Sequence, residues 1–313
     1  MRQTMNGGDW LRLGVLSVLW GGSFLFYRVL AGELPPLTTS FGRVAIGGLA
    51  LLAILRVRGV KLGVRWAQMP QFVVLALLNN VIPFTLFVWG EQRVSSGTAA
   101  ILNAMTPLFT VLVAGLVWRT EKLTRARLCG IAFGIAGVAV LVGPQALLGQ
   151  DVLGQAACLL AAFSYGFGVP FGRRIIGVTP ANMALLQLVT SSVLLLPLVL
   201  ALEHPWTVAA PSLAGWASLI GIAVLSTSFA YLLFFDLLAR VGAGNLSLVT
   251  FLVPGSALLL GWAVLGETVA WTALAGLALI GAGFAAIDGR LLAAIRRAPA
   301  PVPRPVPGAL PPR

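Results

Sequence analysis

The 313-residue chain is short of the groups that most enzymes use: it has 1 histidine, 2 cysteines and 9 acidic residues. It contains no His-Glu-x-x-His pattern, no Gly-x-Ser-x-Gly turn, no nucleotide-binding glycine loop and no pair of aspartates at the centre of an apolar run. Zinc hydrolysis, acyl transfer, nucleotide hydrolysis and intramembrane aspartyl proteolysis therefore lack their residues, and no metal or cofactor is expected. The histidine, His204, stands beside Pro205 and reads as a loop residue. Cys129 and Cys158 lie in separate apolar runs without metal or redox spacing, and read as packed thiols. Charge is scarce as well, at 10% of residues.

What fills the chain is apolar: 58% of residues are hydrophobic and the mean hydropathy is +0.96, far outside the range of a soluble domain. Ten apolar runs approach the roughly 20 residues needed to cross about 30 Å of hydrocarbon. They lie near residues 10–31, 36–57, 70–91, 96–118, 126–143, 152–173, 180–202, 213–238, 245–264 and 271–290. The expected fold is an all-α integral membrane protein. Its first apolar run lacks a small-x-small cleavage site, and reads as a helix rather than a cleaved signal.

The net charge of +12 reports topology, not a nucleic-acid partner. If the N-terminus lies inside, every Lys and Arg except Arg28, Arg43 and Arg93 falls in a cytoplasmic segment. This positive-inside bias puts both termini in the cytoplasm of a multi-pass protein. The proline-rich end, APAPVPRPVPGALPPR from Ala298, is expected to be a disordered tail.

The chain also looks duplicated. Shifting one half by 147 residues places Arg93-Val94 on Arg240-Val241, Gly97 on Gly244 and Pro107 on Pro254. A shift of 146 places Glu121 on Glu267, Gly130 on Gly276 and Gly137 on Gly283. Five runs per copy is an odd number, so the second copy crosses in the opposite sense. The expected divisions are an N-terminal segment 1–9, repeats 10–145 and 151–290, and a tail 291–313. Two inverted five-helix repeats are an architecture of secondary transporters, with substrate at the bilayer midplane between them. A passive channel or facilitator for small polar solutes is the alternative, and an intramembrane enzyme a more distant one.

The stretch LWGGSFLFYRVLAGELPPLTTSFGRVAIGGLALL from Leu19 resembles the opening helices of the EamA family of the drug/metabolite transporter superfamily. NNVIPFTLFVWGEQRVSSGTAAILNAMTPLFTVLVAG from Asn79, the following Glu121 and GIAFGIAGVAVLVG from Gly130 are similar to the rest of its first repeat. Pro254, LGE at Leu265 to Glu267 and GLALIGAG from Gly276 resemble the second. The resemblance implies ten helices in a bacterial cytoplasmic (inner) membrane. It also implies a central cavity lined by helices one to four and six to nine, and the export of amino acids or similar small metabolites.

The polar residues inside the runs are the candidate site. Asn79 and Asn80 lie halfway along the third run, where amides facing lipid would go unpaired at a cost of several kcal/mol. They either line a wet cavity or join neighbouring helices. Pro83 is expected to kink the helix and free the carbonyl of Asn79. At similar depth lie Ser23, Asn103 and Thr106 in the first copy, and Ser164, Tyr165, Ser226, Thr227, Ser228, Tyr231 and Thr250 in the second. Trp20, Phe24, Trp89 and Phe167 are candidate walls. Arg43, matched in the second repeat by Gln187, is the costliest residue in the bilayer; it either grips a substrate carboxylate or clamps helices.

The candidates for binding are thus Trp20, Ser23, Phe24, Arg43, Asn79, Asn80, Asn103, Tyr165, Gln187 and Tyr231. Glu91 and Asp236, near opposite mouths, are candidates for gating or coupling, against a solvated Glu91 beside Arg93 and an Asp236–Arg240 helix-end pair. Pro107 and Pro254, at matching mid-helix positions, are candidate hinges. Glu121 and Glu267 are expected to cap or anchor the helices that follow them. The glycines from Gly130 to Gly137 and from Gly276 to Gly283 suit close helix contact within the bundle or in a homodimer.

Overall fold

Proline and small hydroxylated residues begin the helices. The computed structural model describes residues 5–60, 63, 66–119, 123–146 and 151–288. Among these there is no strand. Helix α1 (Gly7–Ala31) opens on a capping box, with Asn6 and Asp9 each accepting from the other's backbone N–H at 2.9 and 3.2 Å. Helix α2 (Pro36–Val57) starts on proline, which needs no donor at that position. Helix α3 spans Trp66–Glu91, and α4, capped by Ser95, spans Ser96–Leu116. Helix α5 is Arg125–Ala146, and α6 is Val152–Gly172. Helix α7 (Pro180–Glu203) is capped by Thr179, and α8 (Leu213–Gly242) by Ser212. Helices α9 (Val249–Leu265) and α10 (Trp271–Asp288) complete the described chain.

Seven of these, α1 to α4 and α6 to α8, are long and apolar enough to cross a membrane, and α9 is a shorter apolar helix. Leu49, Val193 and Leu259 show their side chains on the outside, 66–68% exposed, as expected where the solvent is lipid rather than water.

The halves interleave. Helix α1 packs on α9, α6 on α4 and the second half of α3, α2 on α7 and α8, and α5 on α10. Glycines make the closest approaches: a methyl group on Gly137 would lie 2.7 Å from the Gly276 carbonyl, and one on Gly276 would lie 2.8 Å from that of Gly137. Gly90 and Gly154 bring α3 and α6 together in the same reciprocal way, each 2.9 Å from the other's carbonyl. Small residues at these crossings let the backbones meet, which is where helix association in lipid finds its van der Waals energy.

Three helices are locally underwound into wide π turns, at Leu77–Val81, Val199–Glu203 and Gly221–Phe229. The first corrects the expectation for Pro83. In this register Ile82 N–H bonds back five residues to Leu77, so the donor missing at Pro83 leaves the carbonyl of Leu78, not that of Asn79. Ser164 Oγ on α6 donates to that carbonyl at 2.8 Å.

The two matched prolines also differ from expectation and from each other. Helix α4 breaks at Ala104–Met105, and Pro107 sits in the first turn of its second segment rather than in mid-helix. Pro254 stays inside α9 and is buried. Proline is compatible with the first site because that N–H would be unpaired anyway.

Candidate functional site

Between the two halves lies a cavity of about 370 Å³. Helices α1 to α4 and α6 to α9 all contribute to its wall, and among the described residues none of α5 or α10 does. The volume suits a metabolite rather than a macromolecule.

Among the described residues in its lining, Arg43 alone is charged, and it is only 6% exposed. The guanidinium donates from Nη1 to Tyr27 Oη at 2.6 Å and from Nε to Thr227 Oγ1 at 2.9 Å. Its plane covers the Phe84 ring, with 3.8 Å from Cζ to the centroid. The π turn in α8 supports this: Thr227 donates its hydroxyl hydrogen five residues back to Ile222 and so presents a lone pair to Arg43. Among the described residues, no carboxylate is paired with Arg43. A buried cation without a counter-ion carries a desolvation cost of several kcal/mol that an anionic ligand would offset.

Adjacent helix residues diverge by about 100°, and the two asparagines separate accordingly. Asn79 lines the cavity, whereas Asn80 is fully buried and points away into α7. Asn80 Nδ2 donates to Ser191 Oγ at 2.8 Å, and its Oδ1 accepts from Gln187 Nε2 at 3.0 Å. Gln187 Oε1 in turn accepts from Asn79 Nδ2 at 3.4 Å. Asn80 was expected at the cavity wall; its place is in the amide lattice that joins α3 to α7 across the halves.

Trp20, Ser23, Phe24, Arg43, Asn79, Asn103, Tyr165, Gln187 and Tyr231 are brought together around the cavity, with Thr106, Ser226 and Thr250. Among the described lining residues, Ser23 Oγ, Ser226 Oγ and Asn79 Oδ1 are buried without a hydrogen-bond partner. Trp89 and Phe167 are elsewhere, Trp89 under the Arg93 guanidinium and Phe167 against Phe163. Sequence reasoning missed Tyr27, Phe84, Phe87, Phe234 and Phe235, which line the wall. Their spacing was a usable signal: Trp20, Ser23, Phe24 and Tyr27 share one helix face, as do Tyr231, Phe234 and Phe235.

Glu91 and Asp236 do not reach the cavity. Glu91 is fully buried rather than solvated; Arg28 donates to its main-chain carbonyl, and its carboxylate oxygens have no partner. Asp236 is 45% exposed at the other face, held by Arg240 Nε at 3.0 Å and facing Arg12 Nε at 3.6 Å.

Three glutamates at the face where α1 ends join the halves. Glu203, from α7, accepts from the backbone N–H groups of Leu37 and Thr38 at 2.8 and 2.6 Å and from the Thr38 hydroxyl at 2.8 Å. Pro35, at the cap position of α2, offers no side-chain acceptor, so Glu203 caps that helix from the other half. Glu33 accepts from Ser212 N and Oγ, both at 2.7 Å, at the start of α8. Glu267 accepts from Ser96 N and Oγ at 3.0 and 2.7 Å at the start of α4, rather than capping α10 after it. Glu121 lies outside the described residues. The cavity wall extends the other way, to Met183 in the first turn of α7 and Val169 in the last turn of α6.

The EamA-like transporter family model matches this chain twice, over residues 10–143 and 152–287. The chain belongs to the EamA-like transporter family. It is 30% identical over 269 residues to the uncharacterized inner membrane transporter YedA of Escherichia coli, covering 84% of this chain and 85% of that one. It is 29% identical over 287 residues to a probable terminal-alkyne amino-acid exporter of Streptantibioticus cattleyicolor, covering 91% and 94%. A protein of known crystal structure shares the fold, with a TM-score of 0.65 at 20% identity over 94% of this chain and all of that one. The family is one of multi-pass membrane transporters, and this chain carries its apolar helices.

Proposed function

We propose that this protein is a secondary transporter that exports amino acids or similar small metabolites from the bacterial cytoplasm by alternating access. In this reading ten helices cross the membrane as two inverted five-helix repeats, and both termini are cytoplasmic. The observation that carries it is the cavity between the halves, with Arg43 buried in its wall and, among the described residues, no acid in the lining. The name of the exporter relative supports an amino-acid-like cargo. The packing supports inverted symmetry because it is reciprocal: α1 meets α9 as α6 meets α4, and α2 meets α8 as α7 meets α3.

The three glutamate clasps shut one face while the cavity reaches toward the other, which corresponds to one of the two end states that alternating access requires. Release on the far side then means breaking the clasps and rocking one half against the other. The bonds across Asn79, Asn80 and Gln187 lie deeper, where a pivot belongs.

Counterflow in proteoliposomes containing the purified full chain tests this. Labelled amino acids should exchange with saturable kinetics, and Arg43→Ala should abolish exchange. Conductance that does not saturate would replace a carrier with a channel.

A further inference from the structure

We infer that the cavity selects carboxylates whose amino group is absent or acylated, in preference to free amino-acid zwitterions and to amines. The inference rests on the reading of this cavity as the substrate site, and narrows its cargo. A zwitterion must place two charges, and the wall provides for one. Among the described residues, Arg43 is the only charged one in the lining, and its guanidinium donates to neutral oxygens, Tyr27 Oη and Thr227 Oγ1. A carboxylate would complete the guanidinium's donor set and balance its charge.

An ammonium group has no comparable place. Glu91 is buried outside the lining, and Asp236 is engaged with Arg240 and Arg12. Aromatic faces can hold cations, but several here are taken up in ring pairs or by Arg43 itself. Tyr231 stacks on Phe235 with centroids 6.2 Å apart, Trp20 lies against Phe234 at 5.5 Å, and Arg43 covers Phe84. Arg43 itself repels a second cation in so small a space.

A neutral N–H is served better. Ser23 and Ser226 line the cavity, and their hydroxyls are buried without a hydrogen-bond partner among the described residues. Each can accept one hydrogen bond from an amide or hydroxyl without desolvating a charge. The aromatic walls supply contact for an apolar or aromatic body. The favoured ligand is therefore a monoanionic acid with such a body, such as an N-acylated or deaminated amino-acid derivative.

Calorimetric binding to the detergent-purified full chain, with four matched probes, tests this. They are 3-phenylpropionate, N-acetylphenylalanine, phenylalanine and 2-phenylethylamine. The two acids without ammonium should bind at least about tenfold more tightly than phenylalanine, and the amine should not bind. Arg43→Gln should reduce acid binding by about tenfold or more, with Arg43→Lys in between. If these variants fold poorly, the wild-type rank order decides. Phenylalanine binding as tightly as its N-acetyl derivative would overturn the charge selection and leave the cavity reading intact. The expected rank order persisting in well-folded Arg43→Gln would also overturn it. If none of the four binds and counterflow of amino acids is also absent, both the selection and the cavity reading fail.

Discussion

Replacing Glu203 by glutamine cuts one clasp without changing its size. The carboxylate accepts three hydrogen bonds from the start of α2, two of them from backbone N–H groups that have no other cap. Glutamine keeps one acceptor oxygen and turns an amide donor toward a donor. Losing charge-assisted bonds of this kind costs about 1.5–3 kcal/mol, and losing the anion at a helix N-terminus removes about 0.3–1 kcal/mol more. Partial exposure of Glu203 trims the total to about 2–3 kcal/mol, a factor of roughly 30 to 150 in an equilibrium constant. Because the clasp joins the halves, that factor should act on opening of the clasped face. An open state at about 1% would rise to between roughly a quarter and 60% of the molecules. Electron–electron resonance between spin labels at Gln92 and Trp206, which are exposed on the two halves at this face, reads the change directly. Glu203→Gln should add a longer-distance population absent from the wild type. An unchanged distance distribution with a lowered thermal midpoint would mean that Glu203 only caps α2, and would refute the gating argument.

Asn80→Ala should lower stability by about 1–3 kcal/mol, because Gln187 and Ser191 lose their partner in a dry contact. Ser23→Ala, at a hydroxyl with no partner, should leave the thermal midpoint nearly unchanged while weakening ligand binding, and a thermal melt with and without ligand checks both. Gly168→Ala should push the Asn79 amide, which occupies the space of the new methyl group, at a stability cost of about 1–3 kcal/mol. It should also raise the transport KM, measurable by counterflow. Asp236→Asn should change stability by less than about 1 kcal/mol, because its ion pairs are half exposed.

These contrasts show where sequence reading succeeds and where it stops. The apolar runs and the depth of Arg43, Asn79 and Gln187 follow from hydropathy and counting, since lipid forces each polar group toward protein or water. The direction each residue faces does not follow so readily. A π turn inserts an extra residue into the helical count, so the orphan carbonyl moves from Asn79 to Leu78, and nothing in LLNNVIP distinguishes the two windings. Pro107 illustrates the same limit, because one proline serves equally as a kink or as the first turn of a new helix. Tyr27 was legible from its spacing to Trp20 and Ser23, but it lies beside Arg28 near the helix end and reads as interfacial. The clasps pair residues 166, 171 and 179 positions apart. Such contacts depend on how the halves dock, which local pattern does not encode.

The most direct test of the chamber between the halves is side-specific labelling of Thr250→Cys in a Cys129→Ser, Cys158→Ala background, with a membrane-impermeant thiol reagent. Thr250 lines the cavity. The account predicts reaction from the face where α1 begins, and little from the clasped face until Glu203→Gln opens it. No reaction from either face, or equal reaction from both in the wild type, would contradict a chamber reached from one side at a time.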